Sequence, residues 1–519
     1  MQCLRNVFVL LVGSIFLLWP SIFNGQLFFF PDSTNYVKAG VTAVEKFTGG
    51  YHTSEWTKPK SLNNKYTPIK QENGSKLTIV SLSKGVNDID SGVVMAGRSP
   101  YFGTLIYVTD ILTNFWGYAL IQASLTFYLI LLVLRLLKVS TRQNILISLA
   151  VVSFLTPASF YNSYVLVDTF AAFGLLSFAI LATFFTKLLK LDKFMLFSLM
   201  VLSTTSHLTH LVMILLLLIL IGMMSIFFRN IYESSKYALL TGILSVVIGI
   251  VSILVTNIVI EKSFGAPPLQ VPMLTARFIE DGPGYLYIQN NCDKSEFIIC
   301  EFQDQLPLDS QSFLWDINPQ TSIFYNADIR TKRLMAKQDK VFASYVFLEH
   351  PWLVIKSMTA NTVEQLFDLS MLNFNYQDPY KRHFENKLPT DKFEKMLSSL
   401  SYNNKWPIDS ISLIVYLSTL FSMSILMAYY LRRKQTKYTN EALHAFDGIV
   451  IIVVLGLVIN AFICGAGSEP QARYTTRMIW LIPFLATVAA LLFRKHHQLA
   501  RLVTENRFAA GAPIVHLRP

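Results

Sequence analysis

Long apolar stretches, separated by short polar and often basic ones, run through most of this 519-residue chain. A hydrocarbon core about 30 Å thick takes about 20 apolar residues per helix. Runs near that length occupy residues 4–23, 112–134, 144–161, 164–185, 194–206, 208–228, 237–260, 409–431, 447–464 and 476–493. The fifth is short, and with the sixth it could instead form one long tilted helix. The first could be a signal peptide, but "WPSIFNGQLFFF" offers no small-residue cleavage site, so an uncleaved first span is expected.

Two intervals are too long to be turns. The first, 24–109, opens with "STNYVKAGVTAVEKF", where Tyr36, Gly40 and Phe47, and Val37, Val41 and Val44, recur at helical spacing. That pattern predicts a short helix lying in the membrane interface. A polar stretch over 48–90 reads as a loop. The second interval, 261–407, carries the turn signal "EDGPG" and predicts a small folded cap. Within it, apolar residues at helical period between Arg330 and Phe374, interrupted at Pro351, predict two helices. The expected fold is an all-α polytopic membrane protein of about ten transmembrane helices, with external interface helices and a small external cap. Its parts are an N-terminal module of seven spans (1–260), the cap (261–407) and a C-terminal module of three spans with a basic tail (408–519).

Charge gives the orientation. Charged residues make up only 15% of the chain against 52% hydrophobic, where soluble domains carry about 25% charged. Short loops rich in Lys and Arg stay in the cytoplasm. Such loops fall at 135–142, 187–193, 229–236 and 432–437, followed by the tail from Arg494. With ten spans they share one side, which places both termini in the cytoplasm and the two long intervals outside. With nine spans, 229–236 would cross over, which favours separate fifth and sixth spans. The net charge of +11 reflects these anchors and calls for no nucleic-acid partner. Of four cysteines, Cys3 is expected inside and Cys464 at a span end. Cys292 and Cys300 share the cap, either as a disulfide in an oxidising compartment or as buried thiols.

Ionisable residues gather near the external ends of spans. Asp32 follows the first span, and Arg98 sits in "GRSPYFG". Asp168 lies near the external end of the fourth span. His207 and His210 occupy the turn between the fifth and sixth, and Glu469, Arg473 and Tyr474 lie between the ninth and tenth. Polar groups at membrane depth are costly and mark cavities or partners. Each also has a structural alternative. Asp32 could be a helix N-cap, and Asp168 could pair with an arginine to hold the bundle. The two histidines, three apart, could ligate a metal or bond carbonyls. Arg473 and Arg477 could be interfacial anchors, and His496 and His497 solvated groups. Phosphate-loop, dinucleotide-binding, HExxH and GxSxG patterns do not occur, which disfavours an ATP-driven or nicotinamide enzyme.

The layout resembles the GT-C superfamily of integral membrane glycosyltransferases. "FPDSTNY" stands where those enzymes carry an acid shortly after the first span, and Asp32 is the matching residue, with Tyr36 one turn on. "TPASFYNSYVLVD" loosely resembles their Pro-then-acid pattern, and "QARYTTRMIW" their Arg-Tyr pair entering the last helices. Ser33 replaces the second acid that many members show. The resemblance implies transfer of a sugar from a polyprenyl-phosphate donor to an envelope lipid, glycan or protein at the external face of the plasma membrane. Asp32 would then be general base and Asp168 a second candidate. Arg473 would bind phosphate, with Arg98 and Arg277 behind it, and Tyr36, Tyr474, His207 and His210 would line the substrate. The donor is already activated, so no cofactor is required, and a divalent metal has no motif to support it. Two rivals stand beside this. A secondary transporter or lipid flippase wants ionisable groups at the bilayer midplane. A membrane acyltransferase would use His207 or His210 as base.

Overall fold

The computed structural model describes residues 10–51, 54–57, 93–227, 229–316, 322–435 and 441–509. The protein is about 78% helical. Among the described residues, β pairing is confined to two isolated bridges, Phe28 with Tyr164 and Met95 with Leu269. Six helices among the described residues are long and apolar enough to cross a membrane: Trp116–Leu136, Thr169–Lys187, Lys236–Phe264, Ile408–Arg433, Glu441–Gly467 and Ala472–Lys495.

The other apolar runs fall short for local reasons. The run at 4–23, described from Leu10, pauses in a turn at Leu17 and Leu18 and restarts as Trp19–Asn24 with Pro20 in its first turn. The run at 144–161 stops as Arg142–Phe154, because Pro157 disfavours helix at Thr156 and cannot itself donate a backbone hydrogen bond. In the run at 112–134, Asn114 and Phe115 both take positive φ, which separates Pro100–Thr113 from the span that begins at Trp116. The fifth and sixth runs form two helices, Lys190–Ser206 and Leu208–Phe227, with His207 extended between them. Residues 229–236 are not the expected loop: they contain no Gly or Pro, and they form the first turns of Arg229–Phe264.

Burial sorts the spans into inner and outer. In Thr169–Lys187 and Ala472–Lys495, 83% of the apolar window is buried, against 17% in Lys236–Phe264 and 22% in Ile408–Arg433. The outer pair displays Leu240, Ile258, Leu420 and Phe421. An unbroken apolar face of this kind suits hydrocarbon rather than water.

The cap has a second apolar core of its own, built on Phe278, Ile279, Ile288, Phe313, Phe324, Phe342 and Val346. Cys292 and Cys300 are joined by a disulfide. Helices Ile329–Glu349 and Pro351–Phe367 meet at His350 and Pro351, where the sequence pattern breaks. Two of the contacts between the cap and the rest of the chain bear on the site. Ala96 N donates to the Leu269 carbonyl (2.8 Å). Gln365 and Gln471 exchange hydrogen bonds of 2.8 and 2.9 Å. The first fixes the segment ahead of Arg98, the second the segment ahead of Arg473. Most of the loop expected over 48–90 lies outside the described residues, as does Cys3.

Candidate functional site

Three chain segments deliver the central charges. Helix Pro31–Phe47 buries Ser33, Thr34, Tyr36, Val37, Gly40 and Val41 on one side. Its N-cap is Phe30, whose N–H donates to Ser33 Oγ (3.0 Å). Asp32 is therefore not the N-cap that the sequence allowed; Ser33 satisfies that amide, and the Asp32 carboxylate points elsewhere. Helix Pro100–Thr113 crosses this one at Gly40 and Gly103. A Cβ at Gly103 would stand 2.2 Å from the Tyr36 carbonyl oxygen, so only glycine permits the approach. The crossing brings Arg98, just ahead of that helix, onto Asp32.

Asp32 is shared by two guanidiniums. Arg98 Nη2 donates to one carboxylate oxygen, and Arg473 Nη2 lies 3.3 Å from the other. Asp32 and Arg98 each keep 17% side-chain exposure and Arg473 8%. Burial would raise the Asp32 pKa, but Arg98 and Arg473 outweigh it and hold the carboxyl down to about 2. Arg473 is sandwiched between rings, 4.1 Å from the Phe30 centroid and 4.7 Å from that of Tyr474, whose hydroxyl accepts from it at 3.0 Å. This is a rigid cationic platform. Nε of Arg98 and Nε of Arg473 are buried without a hydrogen-bond partner among the described residues.

One turn further along the same helix, Arg477 is fully buried and pairs with Asp168 at 2.9 Å and with Asn460 Oδ1 at 3.0 Å. Both arginines, allowed by the sequence as interfacial anchors, are interior. Asp168 precedes Thr169–Phe184 at the end of a non-helical segment. Phe28 N, Tyr118 Oη and Gln122 Nε2 donate to the carbonyls of Ser163, Leu166 and Tyr164 in that segment. The bundle-holding alternative for Asp168 thus has its partner, although Oδ2 is buried and unpaired.

His207 lies within electrostatic reach of Asp32, Arg98, Arg473 and Arg477. Its Nδ1 accepts from Thr209 N (3.2 Å), which puts the proton of the neutral ring on Nε2. His210 pairs through Nδ1 with Ser206 (3.3 Å), and its Nε2 is buried without a partner. Among the described residues no group of three or more His, Cys, Asp or Glu is placed to hold a metal. Tyr36 Oη donates to the Ser206 carbonyl (3.4 Å), and Arg98 lies 5.7 Å from the Tyr36 ring.

Two sequence candidates lie elsewhere. Arg277 is engaged by Asp281 and by Glu280 (3.2 Å) in the cap. Its guanidinium is saturated locally and contributes no contact to Asp32. Glu469 is bonded by Gln311 of the cap. The side chains of His496 and His497 lie outside the described residues.

One element went unnoticed in the sequence. Helix Asp378–Lys387 lies over the start of helix Pro31–Phe47. Tyr380 packs on Phe30 at 5.2 Å between ring centroids, and His383 Nε2 is 2.9 Å from Thr34 Oγ1. Since Thr34 already donates to the Pro31 carbonyl (2.8 Å), His383 is the donor, leaving Nδ1 as the basic nitrogen. Burial, with Lys387 nearby, pushes this imidazole down to about 4, so it is neutral at pH 7. The available signal was "DPYKRHFENK", a helix start that puts Tyr380 and His383 three apart on one face.

Together, three guanidiniums (Arg98, Arg473, Arg477) face two carboxylates (Asp32, Asp168) in a mostly buried cluster, an excess of one positive charge. Buried charge is costly unless compensated. An arrangement of this sign is suited to an anion, and its exposed edge is Asp32 and Arg98. No family model, characterised protein or solved structure matches the chain.

Proposed function

We propose that this protein is a multi-pass membrane glycosyltransferase of GT-C type. It would move a sugar from a polyprenyl-phosphate donor to an envelope lipid, glycan or protein on the external face of the plasma membrane. The observation that carries this reading is one carboxylate bracketed by Arg98 and Arg473, partly exposed, inside a cluster with one positive charge in excess. A sugar phosphodiester brings one negative charge, which matches the excess. In the reaction the Asp32 carboxylate takes the acceptor hydroxyl proton. The acceptor oxygen bonds to the anomeric carbon, and the bond from that carbon to the phosphate oxygen breaks, leaving its electron pair on the phosphate. The leaving group gains a charge, which Arg98 and Arg473 are placed to stabilise. Ten crossings would take, beside the six long helices, the two short apolar ones Arg142–Phe154 and Leu208–Met224, helix Lys190–Ser206 and the first apolar run at 4–23.

Asp32→Asn tests the reading. General acid–base catalysis contributes about 10²–10⁴-fold, so the variant should transfer sugar at least about a hundredfold more slowly while inserting normally. Mass spectrometry of envelope glycans, in cells with the wild-type chain, the variant or neither, reads the product. Wild-type glycan levels from the variant at matched expression would remove Asp32 from the chemistry.

A further inference from the structure

We infer that Asp32 is the internal occupant of a phosphate site, and that an incoming phosphate displaces it from Arg98 and Arg473. This rests on the proposed donor class and adds how the site receives it. Four observations point the same way. The two Asp32 oxygens are divided between guanidiniums 66 and 441 residues away in sequence, so the carboxylate bridges two segments as an anionic ligand would. Neither guanidinium is saturated, since Nε of each has no partner among the described residues. Arg473 is held by the Phe30 and Tyr474 rings as well as by Asp32, so its position does not depend on the carboxylate. The exposed edge of the cluster is Asp32 with Arg98, so an anion arriving from outside meets this pair before the sealed Asp168–Arg477 pair.

Exchange also resolves a conflict in the chemistry. A carboxylate pinned between two arginines is a poor proton acceptor, because both cations stabilise its ionised form. When a phosphate takes over those cations, the carboxylate is released beside the new ligand with a higher proton affinity. The groups still facing it are Tyr36 and His207, with His383 and Tyr380 on the helix above. Base strength then appears only once the donor is in place.

The consequence is unusual for a residue in a reaction centre: removing its charge should tighten binding. The full-length protein in detergent micelles is titrated with decyl phosphate, a single-chain stand-in for the donor, by calorimetry. Asp32→Asn and Asp32→Ser, checked for monodispersity and helicity, should bind decyl phosphate about tenfold or more tightly than wild type, as removal of one charge-assisted competitor implies. Arg473→Gln should lose most of the binding in either background. Inorganic phosphate, tested in parallel, separates headgroup recognition from recognition of the chain. Equal affinity in wild type and both Asp32 variants, with Arg473→Gln still defective, overturns the exchange but leaves the donor class standing. Absence of any Arg473-dependent binding overturns both.

Discussion

Gly103→Ala probes whether the glycine crossing holds the reaction centre together. The new methyl would lie 2.2 Å from the Tyr36 carbonyl oxygen and 2.8 Å from Gly40 N, both backbone atoms that cannot rotate away. Ordinary contact begins at 3.4 Å, so the two helices must separate by about 1.2 Å or bend. Overpacking of this kind costs about 1–3 kcal/mol. Displacement of Arg98 relative to Asp32 by a similar distance costs about a hundredfold in rate. Two measurements on purified protein check this: the melting midpoint, which should fall by several degrees, and sugar transfer, which should fall more than the lost stability explains. Gly222→Ala is the control. It sits inside Leu208–Phe227 with nothing within 4 Å of the added carbon, and it should be neutral or slightly stabilising through helix propensity. Gly103→Ala that melts and transfers like wild type would show the crossing to be slack.

Asp168→Asn should lower stability by about 3–5 kcal/mol, because it leaves the fully buried Arg477 without its counter-charge; a melting curve within a degree or two of wild type would refute that. The Asp32 carboxyl is depressed from 3.8 to about 2 in the folded protein. Its stabilisation, about 2 kcal/mol, is thus complete above about pH 4 and fades as pH falls toward 2. Wild type and Asp32→Asn should differ by a constant margin from pH 8 to 5 and converge in acid; a margin that changes around neutral pH would point to a different titrating group. Lys294 in the cap and Lys190 at a helix start are both exposed, and a membrane-impermeant amine reagent on intact cells should modify the first only. External labelling of Lys190 would invert the proposed topology.

The all-α class and six spans long enough to cross a membrane were legible because apolar length is a direct consequence of the bilayer. Helix Pro31–Phe47 followed from the spacing of Val37, Val41 and Tyr36, and the two helices meeting at Pro351 from the break there. What escaped depended on positions that periodicity does not register. Asn114 and Phe115 interrupt a uniformly apolar run through backbone conformation alone. Residues 229–236 look like a cytoplasmic loop by charge but lack any residue that stops a helix. Among site residues, Asp32, Arg98 and Arg473 were singled out from their placement at external span ends, and the structure brings these three together. Arg277, named only as a reserve phosphate binder from within the cap interval, is claimed by Asp281 one helical turn away. His383 was missed because "DPYKRHFENK" signals a helix with Tyr380 and His383 on one face but not what that face meets, which is Phe30 and Thr34.

Arg473 and Arg477 show why sequence position could not separate a reacting group from a supporting one. They lie one turn apart on the same helix, Ala472–Ile479, and each faces an aspartate. The difference is access. Arg477 and Asp168 are 0% and 4% exposed, and Asn460 further binds the guanidinium, so this pair has no route for exchange. It fixes the rotation of the helix about its axis. Arg473 is consequently aimed at Asp32 in every conformation that keeps the sealed pair. On its outer side the helix meets a carboxylate that also answers to Arg98, on a separate segment tied to the cap through Leu269. Arg98 and Arg473 thus reach the same carboxylate from two different chain segments, and only the Arg473 helix also carries the sealed pair. The inner pair supplies the fixed reference, and the outer pair, partly exposed and with its carboxylate shared by a second segment, is the part able to open for a ligand.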